Sequence, residues 1–208
     1  MSRALHTLPR FYPIFDHADW LERALPLGVK LVQLRIKDAA PSDLTAQLAK
    51  GRDLCAAHGA QLVVNDYWQQ AIDLGCDYIH LGQEDLDEAD IAAIRRAGIR
   101  IGISTHDRAE LDRALALEPD YIALGPVWPT ILKKMKWHEQ GLDRVSEWKR
   151  LIGDIPLIAI GGMTPERAGL AFGAGADVVS AVTDITLNPD PEGRLRLWLD
   201  ETAAKVPA

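Results

Sequence analysis

Eight short runs of apolar and β-branched residues recur along the chain, and a longer stretch rich in Ala, Leu, Glu and Arg follows each of them. Parallel strands joined by helices produce this alternation, because each strand needs a crossover before the next can pair with it. Eight such units in 208 residues match the smallest barrels of this type. We therefore predict an α/β fold: one (β/α)8 domain, or TIM barrel, spanning residues 1–208. The predicted strands are residues 11–16, 31–37, 61–66, 78–83, 100–105, 121–128, 156–162 and 178–182.

The composition excludes several classes of partner. The chain has 23 Lys and Arg against 30 Asp and Glu, a formal net charge of −7, which disfavours nucleic acid and anionic membranes. Its beginning lacks the apolar run of a signal peptide, and no stretch reaches the ~20 apolar residues of a membrane span. Cys55 and Cys76 lie in apolar, helix-like contexts and are interpreted as buried thiols. We expect a cytoplasmic protein.

One segment departs from the compact pattern. Residues 129–140 are rich in Lys, Trp and Met and lie between the sixth predicted strand and its helix. Loops of this length are usually functional or mobile, so we predict a mobile lid that carries Lys133 onto an anionic substrate. A static surface loop with solvated lysines is the alternative. No linker or low-complexity segment divides the rest of the chain.

Three polar side chains, Gln33, Arg35 and Lys37, alternate along the second predicted strand. They share one face, and the apolar face between them packs against the helices. Two cations directed into a barrel mouth need an anionic partner, because burying unpaired charge is costly. Their spacing suits the several oxygens of a diphosphate. An internal salt bridge with Asp66 or Asp85 is the alternative.

Carboxylates occur at the ends of the next two predicted strands. Asn65 and Asp66 end the third strand, and Asp85 follows the fourth. The C-terminal ends of neighbouring barrel strands meet at one face, which brings the two aspartates together. Magnesium is typically held by one or two carboxylates with water and substrate phosphates. The sequence therefore predicts a Mg²⁺ site beside the diphosphate, and helix capping by both aspartates is the open alternative.

The fourth and fifth predicted strands add a histidine and a hydroxyl. His80 lies within its strand and is interpreted as a packed, hydrogen-bonded core residue rather than a ligand. Ser104, near the end of the fifth strand, has no recognisable base and orienting acid in the sequence. We therefore predict that Ser104 hydrogen-bonds substrate rather than acting as a nucleophile.

A second anion site is predicted after the seventh and eighth strands. Gly161 and Gly162 end the seventh strand and let the backbone approach a ligand closely, unless they only form a tight turn. The eighth strand ends at Val182 and Thr183. Loops at these two positions form a recurring phosphate site of the barrel fold, lined by backbone N–H groups. Two anion sites of different character fit two phosphorylated substrates better than one.

Taken in order, these motifs resemble those of the thiamine phosphate synthase family over nearly the full chain. The matching segments are Gln33 to Lys37, Asn65 and Asp66, His80 to Asp85, Gly102 to Ser104, Gly125 and Pro126 followed by Pro129 and Thr130, and Ala159 to Gly162. The resemblance implies a barrel that joins hydroxymethylpyrimidine diphosphate to thiazole phosphate. It implies that thiamine phosphate and pyrophosphate are the products, with Mg²⁺ as cofactor and a dissociative substitution.

The resemblance also implies roles for individual residues. Asp66 and Asp85 hold the metal, and Arg35, Lys37, Lys133 and Ser104 are catalytic. The pyrimidine diphosphate contacts Gln33, Leu34, Arg35, Ile36, Lys37, Asn65, Ser104 and Lys133, and the thiazole phosphate contacts Thr130, Ile131, Leu132, Gly162, Val182 and Thr183. Two positions depart from the family pattern: Leu132 stands where a second threonine is common, and Thr183 where a serine is common.

Two other functions stay open at this point. A related barrel that isomerises the thiazole phosphate would share the backbone phosphate site without needing a diphosphate and metal site. A regulatory module that binds phosphorylated ligands without turnover is a different class. In all three hypotheses the partners are small phosphorylated molecules. The sequence does not indicate the oligomeric state.

Overall fold

A computed structural model describes residues 8–130 and 138–203 of the chain. Eight parallel strands close into a barrel in chain order, with β8 pairing back to β1. The predicted barrel is confirmed, although most strands end earlier than predicted, because the polar residues at the mouth already belong to loops. The strands are β1 Phe11–Phe15, β2 Leu31–Leu34, β3 Gln61–Asn65, β4 Tyr78–Leu81, β5 Arg100–Thr105, β6 Tyr121–Leu124, β7 Leu157–Ile160 and β8 Val178–Ala181.

Helices surround the barrel, and the described residues form ten of them where the sequence predicts eight. The difference is two single turns, α4 after β4 and α9 after β8, each preceding the longer helix of its unit. A 3-10 turn, Leu25–Leu27, follows α1. The helices are α1 Asp19–Ala24, α2 Pro41–Ala57, α3 Trp68–Asp73, α4 Asp85–Glu88, α5 Ile91–Arg96, α6 Arg108–Ala116, α7 Gly141–Ile152, α8 Pro165–Gly173, α9 Thr183–Thr186 and α10 Pro191–Thr202.

Strand alternation divides the core into two clusters. An outer cluster lies between barrel and helices and includes Val32, Leu34 and Ile36, as the period of β2 predicts. An inner cluster fills the barrel and includes Tyr12 and Tyr121. Gln33, the polar residue of β2, therefore lies on the inner side of the strand.

The ring of Tyr121 occupies the barrel interior because its neighbour on β5 is a glycine. Gly102 pairs with Tyr121 in the β5–β6 register. A Cβ added at Gly102 would lie 1.9 Å from the Tyr121 Cζ atom, far inside van der Waals contact. A glycine at this position is thus required by the aromatic ring beside it.

At the opposite end of the barrel, two aspartates just before even-numbered strands fix the starts of their neighbours. Asp120 Oδ2 accepts a hydrogen bond from the Ile101 N–H at 2.7 Å, and Asp177 Oδ2 accepts one from the Leu157 N–H at 2.8 Å. Each carboxylate satisfies a backbone donor at the beginning of a strand. This end of the barrel is held by side chains that are remote from the mouth.

Other sequence predictions concern burial and the membrane. Cys55 and Cys76 are buried free thiols, as predicted. Within residues 8–130 and 138–203, no helix has the length and apolar character needed to cross a membrane. Residues 131–137, which form most of the predicted lid at 129–140, lie outside the described residues.

Candidate active site

The cations predicted on β2 lie at the C-terminal end of the barrel, where Gln33 is buried and Arg35 and Lys37 follow the strand. Lys37 Nζ donates a hydrogen bond to Asp66 Oδ2 and forms an ion pair with it. The internal salt bridge that the sequence left open is therefore present. Arg35 is held through its backbone N–H, which donates to the Phe15 carbonyl at 2.8 Å. The described part of the chain offers its guanidinium no ion-pair partner, so one cation remains for an anionic ligand.

The two aspartates converge as predicted. The Asp66 and Asp85 carboxyl groups lie close enough to share a hydrogen bond when Asp85 is protonated, and Asp85 Oδ2 accepts the Gly82 N–H at 3.1 Å. Burial, followed by the charge of Asp66, raises the pKa of Asp85 above its usual range. Asp66 adopts the left-handed backbone conformation, with a φ of 65°, which is strained for a residue other than glycine. A strained strand end directs this carboxylate towards its neighbour.

Helix capping does not explain these aspartates. The N-cap residues of α3 and α4 are Tyr67 and Glu84, and neither helix has a side-chain cap. Asp85 instead bonds Gly82, three residues before it and outside α4. The capping alternative is therefore wrong for both helices, whereas Asp107 does cap α6 by accepting the N–H of Glu110 at 2.9 Å.

This pair of carboxylates fits a magnesium ion. Two acidic side chains in contact, with a raised pKa on one of them, form a site that a divalent cation would stabilise. Beside them, the Asn65 side chain is buried, and its Nδ2 has no hydrogen-bond partner among the described residues. Within residues 8–130 and 138–203 there is no cluster of three or more His, Cys, Asp or Glu side chains of the kind that holds a structural metal. Two carboxylates suit a metal that also needs water and phosphate oxygens.

Ser104 is bonded to the residue interpreted as core. His80 Nε2 lies 2.8 Å from Ser104 Oγ, and His80 Nδ1 lies 2.8 Å from Tyr121 Oη. Burial lowers the pKa of His80 to about 4, so the imidazole is neutral near pH 7. Gln83 Nε2 donates to the Ser104 carbonyl at 2.7 Å and holds the backbone of the same residue. His80 is a buried, hydrogen-bonded residue, as the sequence predicts. One of its two hydrogen-bond partners is Ser104, which is itself a predicted site residue.

On the far side of the mouth, the glycines after β7 lie against the segment that follows β6. Gly161 and Gly162 have φ values of 93° and 61°. A Cβ at Gly161 would lie 2.5 Å from Pro126 Cα, and one at Gly162 would lie 2.5 Å from the Pro129 carbonyl oxygen. Both the backbone conformation and the close approach require glycine here. The turn is shaped by the 126–129 segment.

Two cations that sequence reasoning missed also lie on this side. Arg167 in α8 donates a hydrogen bond to the Gly162 carbonyl, and its guanidinium lies 5.3 Å from the centre of the Trp128 ring. Arg194 in α10 donates two hydrogen bonds of 2.8 Å to Asp184 of α9, the residue after Thr183. Both arginines lie in helical stretches where surface arginine is ordinary, so no sequence signal distinguished them.

The structure brings most of the predicted site residues to the mouth, in two groups. Leu34 and Ile36 differ, because their side chains pack in the outer cluster and only their backbone could meet a ligand. Ile131, Leu132 and Lys133 lie outside the described residues. The β2–β5 group contains Gln33, Arg35, Lys37, Asn65, Asp66, Asp85 and Ser104, and the β6–β8 group contains Thr130, Gly162, Val182 and Thr183.

Comparison with known sequences identifies the family of this chain. The family model for thiamine monophosphate synthase matches residues 11–185. A thiamine-phosphate synthase from Rhizobium etli is 61% identical over 196 residues, covering 94% of this chain and 96% of that protein. A thiamine-phosphate synthase from Neisseria meningitidis serogroup A is 42% identical over 189 residues, covering 91% of this chain and 92% of that protein.

Solved structures agree on the fold. A thiamine phosphate pyrophosphorylase from Pyrococcus furiosus superposes with a TM-score of 0.83 at 24% identity, covering 93% of this chain and 95% of that one. A 3-hexulose-6-phosphate synthase, with a TM-score of 0.67 at 14% identity, covers 92% of this chain and 99% of its own. These two establish the barrel, while the family model and the close relatives establish the family. The chain belongs to the thiamine monophosphate synthase family and is a transferase.

Proposed function

We propose that this transferase joins hydroxymethylpyrimidine diphosphate to thiazole phosphate, giving thiamine phosphate and pyrophosphate with the assistance of Mg²⁺. The observation that carries the proposal is the contact between Asp66 and Asp85, with Lys37 paired to Asp66 at the same edge of the mouth. Carboxylates and a cation side by side match a ligand that is itself a metal-bound diphosphate. An isomerase that acts on the thiazole phosphate alone binds no diphosphate and does not need these two carboxylates and the lysine.

Asp66 and Asp85 are the residues that would hold the metal. When bound, Mg²⁺ supplies positive charge that stabilises the diphosphate as a leaving group. Lys37 already contacts Asp66, so its ammonium group lies at the edge of the metal site, where it can bind the diphosphate oxygens. The chain itself supplies the remaining cations, Arg35 and Lys133, the second of which is assigned from the sequence alone.

The pyrimidine is proposed to bind on the inner side of β2, β3 and β5. Gln33 and Asn65 are buried amides at the ends of their strands, and the Asn65 Nδ2 atom is available for an acceptor on the ligand. Ser104 offers its hydroxyl from the adjacent side. An aminopyrimidine presents both donors and acceptors, which amides and a hydroxyl can match. These residues orient the ring so that its exocyclic carbon faces the second substrate.

Departure of pyrophosphate leaves positive charge on the exocyclic carbon, and the aminopyrimidine ring delocalises it. The C–O bond to the diphosphate breaks first, and the thiazole nitrogen then attacks the exocyclic carbon to form the new C–N bond. No protein nucleophile takes part, and the leaving group carries the electron pair of the broken bond. The role of Arg35, Lys37 and Lys133 is to neutralise the charge that grows on the diphosphate.

The thiazole phosphate is proposed to bind between the ends of β7 and β8. Gly162 and Thr183 face this region, with backbone N–H groups and one hydroxyl as donors. Arg167, through its bond to the Gly162 carbonyl, holds the turn and brings positive charge near it. Thr130, Ile131, Leu132 and Val182 are the remaining contacts proposed from the family resemblance.

We also propose that residues 1–208 form one domain that acts in the cytoplasm on these small molecules. Free, buried thiols at Cys55 and Cys76 support a reducing compartment.

The experiment that tests the function is direct. The purified chain is mixed with both substrates and Mg²⁺, and pyrophosphate and thiamine phosphate are measured together. We expect the two products in equal amounts and none when either substrate is omitted. Isomerisation of the thiazole phosphate without pyrophosphate release would establish the alternative enzyme. Binding of both ligands without any turnover, under conditions in which a relative is active, would establish the non-catalytic module.

A further inference from the structure

A chain of buried hydrogen bonds crosses the barrel between two proposed pyrimidine contacts. Gln33 Nε2 donates to Tyr12 Oη at 2.7 Å, and Tyr12 Oη lies 3.0 Å from Tyr121 Oη. Tyr121 Oη lies 2.8 Å from His80 Nδ1, and His80 Nε2 lies 2.8 Å from Ser104 Oγ. We call these five residues the interior chain. Ser104 is its only member that is not buried.

The hydrogens of the interior chain can be counted. Burial raises the pKa of Tyr12 and of Tyr121, so both phenols keep their hydrogen. The His80 imidazole always carries at least one N–H, so if Nδ1 accepts a hydrogen bond from Tyr121, the hydrogen that faces Ser104 lies on Nε2.

The amide nitrogen of Gln33 sets the direction of the bonds. It can only donate, so Tyr12 Oη accepts, and the described residues offer the Tyr12 hydrogen one acceptor, Tyr121 Oη. Tyr121 then donates to His80 Nδ1, which leaves the imidazole hydrogen on Nε2, facing Ser104. The opposite direction would leave the Tyr12 hydrogen buried without an acceptor, which is costly.

We propose that His80 is a positioning residue of the pyrimidine site: as the Nε2–H tautomer it donates to Ser104 Oγ and so keeps the Ser104 hydroxyl hydrogen directed at the substrate. This inference rests on the proposed function, in which Ser104 contacts the pyrimidine diphosphate. It adds that the substrate atom facing Ser104 is a hydrogen-bond acceptor. Gln33 at one end of the interior chain thereby determines what Ser104 offers at the other.

Two further contacts separate this role from simple packing. The Ser104 carbonyl already accepts from Gln83, so the position of the Ser104 backbone does not depend on His80. The Tyr121 ring is placed by the space that Gly102 leaves. His80 therefore determines the direction in which the Ser104 hydroxyl points, and the following experiments test that direction.

The tautomer of His80 can be measured without substrate. Nitrogen-15 NMR of histidine-labelled protein distinguishes a protonated from an unprotonated nitrogen, and the His80 signals are those lost in His80→Gln. If that variant does not fold, they are identified among the six histidines by the contact of the His80 ring with the Tyr121 ring, whose centre lies 5.6 Å away. We expect hydrogen on Nε2 and none on Nδ1 at pH 7. Hydrogen on Nδ1, or on both nitrogens, overturns the proposal.

The kinetic test uses isosteres. The amide of His80→Gln can place a donor where Nε2 lies, whereas the shorter amide of His80→Asn can reach only the Nδ1 position. We expect His80→Gln to keep kcat/KM within about 5-fold and His80→Asn to lose about 30-fold, the range of a lost hydrogen bond to a substrate-binding group. Equal losses in both variants overturn the proposal. Ser180→Ala, which removes a buried hydroxyl that has no hydrogen-bond partner among the described residues, is the control and should leave kcat/KM within about 2-fold.

A double-mutant cycle tests whether His80 acts through Ser104. We expect Ser104→Ala and His80→Asn to have similar effects, and the double variant to be no worse than Ser104→Ala. Fully additive losses mean a structural role and overturn the proposal. An Nε2–H tautomer in a protein that releases no pyrophosphate overturns the proposed function and the role of Ser104 with it. An Nδ1–H tautomer in an active enzyme overturns only the inference about His80.

Discussion

The two sides of the barrel mouth differ in the interactions that shape them. On the β2–β5 side, charged groups lie next to one another: Lys37 pairs with Asp66, and the Asp85 carboxyl group lies beside that of Asp66. On the β7–β8 side the backbone of two segments lies so close that a Cβ added at Gly162 would be 2.5 Å from the Pro129 carbonyl oxygen. The first side is organised by charge and the second by shape.

This difference determines what a substitution can do on each side. A charged group can be neutralised on the β2–β5 side with almost no change of volume, so chemistry can be removed while the fold stays. On the β7–β8 side even one methyl group collides with backbone, so changes act by moving the segment that lines the pocket. The predictions below test this contrast, from the largest expected effect to the smallest.

The largest effect is expected for Asp85→Asn. Loss of one of two metal-binding carboxylates should reduce Mg²⁺-dependent turnover by more than about 100-fold, beyond the range of outer-shell changes. Because the pKa of Asp85 is raised, its ionised form destabilises the folded protein above the unfolded pKa, and Asn removes that penalty. The melting temperature at pH 7 should therefore stay equal or rise.

The control for this prediction is Asp87→Asn on the same helix, where the carboxylate is exposed and paired with Arg113. It should leave turnover within about 2-fold. If Asp85→Asn unfolds like a core truncation while its folded fraction turns over normally, the carboxylate has a structural role and the electrostatic description of this side is wrong.

Gly162→Ala should act on the other substrate. The left-handed conformation costs a residue with a Cβ about 1–2 kcal/mol, and the clash with Pro129 adds to it. We expect the KM for thiazole phosphate to rise about 10-fold while the KM for the pyrimidine diphosphate changes less than about 2-fold. Gly169→Ala in α8, where a Cβ meets open space, is the matched control and should not lower stability.

Arg167→Gln should have a smaller effect on the same side. Losing the charge-assisted bond to the Gly162 carbonyl and the contact with the Trp128 ring should raise the KM for thiazole phosphate about 3- to 5-fold. Steady-state kinetics with each substrate varied in turn measures this. An equal rise for both substrates would show that the two sides are not independent. Arg108→Gln, an exposed residue of α6, serves as the control.

The smallest effect concerns pH and stability. The pKa of His80 is about 4 in the folded protein and near 6.5 when unfolded, so the unfolded state binds the proton first as pH falls. Stability contributed by the neutral imidazole is present above about pH 6.5 and is lost progressively towards pH 4. We expect the urea unfolding free energy to fall less steeply over this interval in His80→Gln than in the wild type. Parallel curves would contradict the buried, neutral state of His80.

The sequence predicts the frame of this molecule better than the contacts inside it. Strand positions follow from apolar runs, and the inward face of β2 follows from the alternation of Gln33, Arg35 and Lys37. The meeting of Asp66 and Asp85 follows from barrel closure, because neighbouring strand ends share one face. Periodicity and fold geometry are local or general rules, and they transfer to a single sequence.

Other features depend on which side chains meet across the barrel. Nothing near Tyr12 in the sequence indicates that it contacts Tyr121, a partner 109 residues away. The position of Arg167 against Gly162 depends on the start of α8 and on the path of the 126–129 segment, which periodicity does not encode. Gly102 is a signal that could have been read, since glycine within a strand marks a close approach.

The aspartates at the N-terminal end of the barrel strands affect which parts of the fold can unfold locally. Asp120 and Asp177 accept hydrogen bonds from the second amide of β5 and the first amide of β7, at the end farthest from the mouth. Amide exchange at Ile101 and Leu157 should therefore require the barrel to come apart as a whole, whereas loops at the mouth can open and close locally. The mouth of a transferase, where a group passes from donor to acceptor, can then open locally while the opposite end keeps the strands in register.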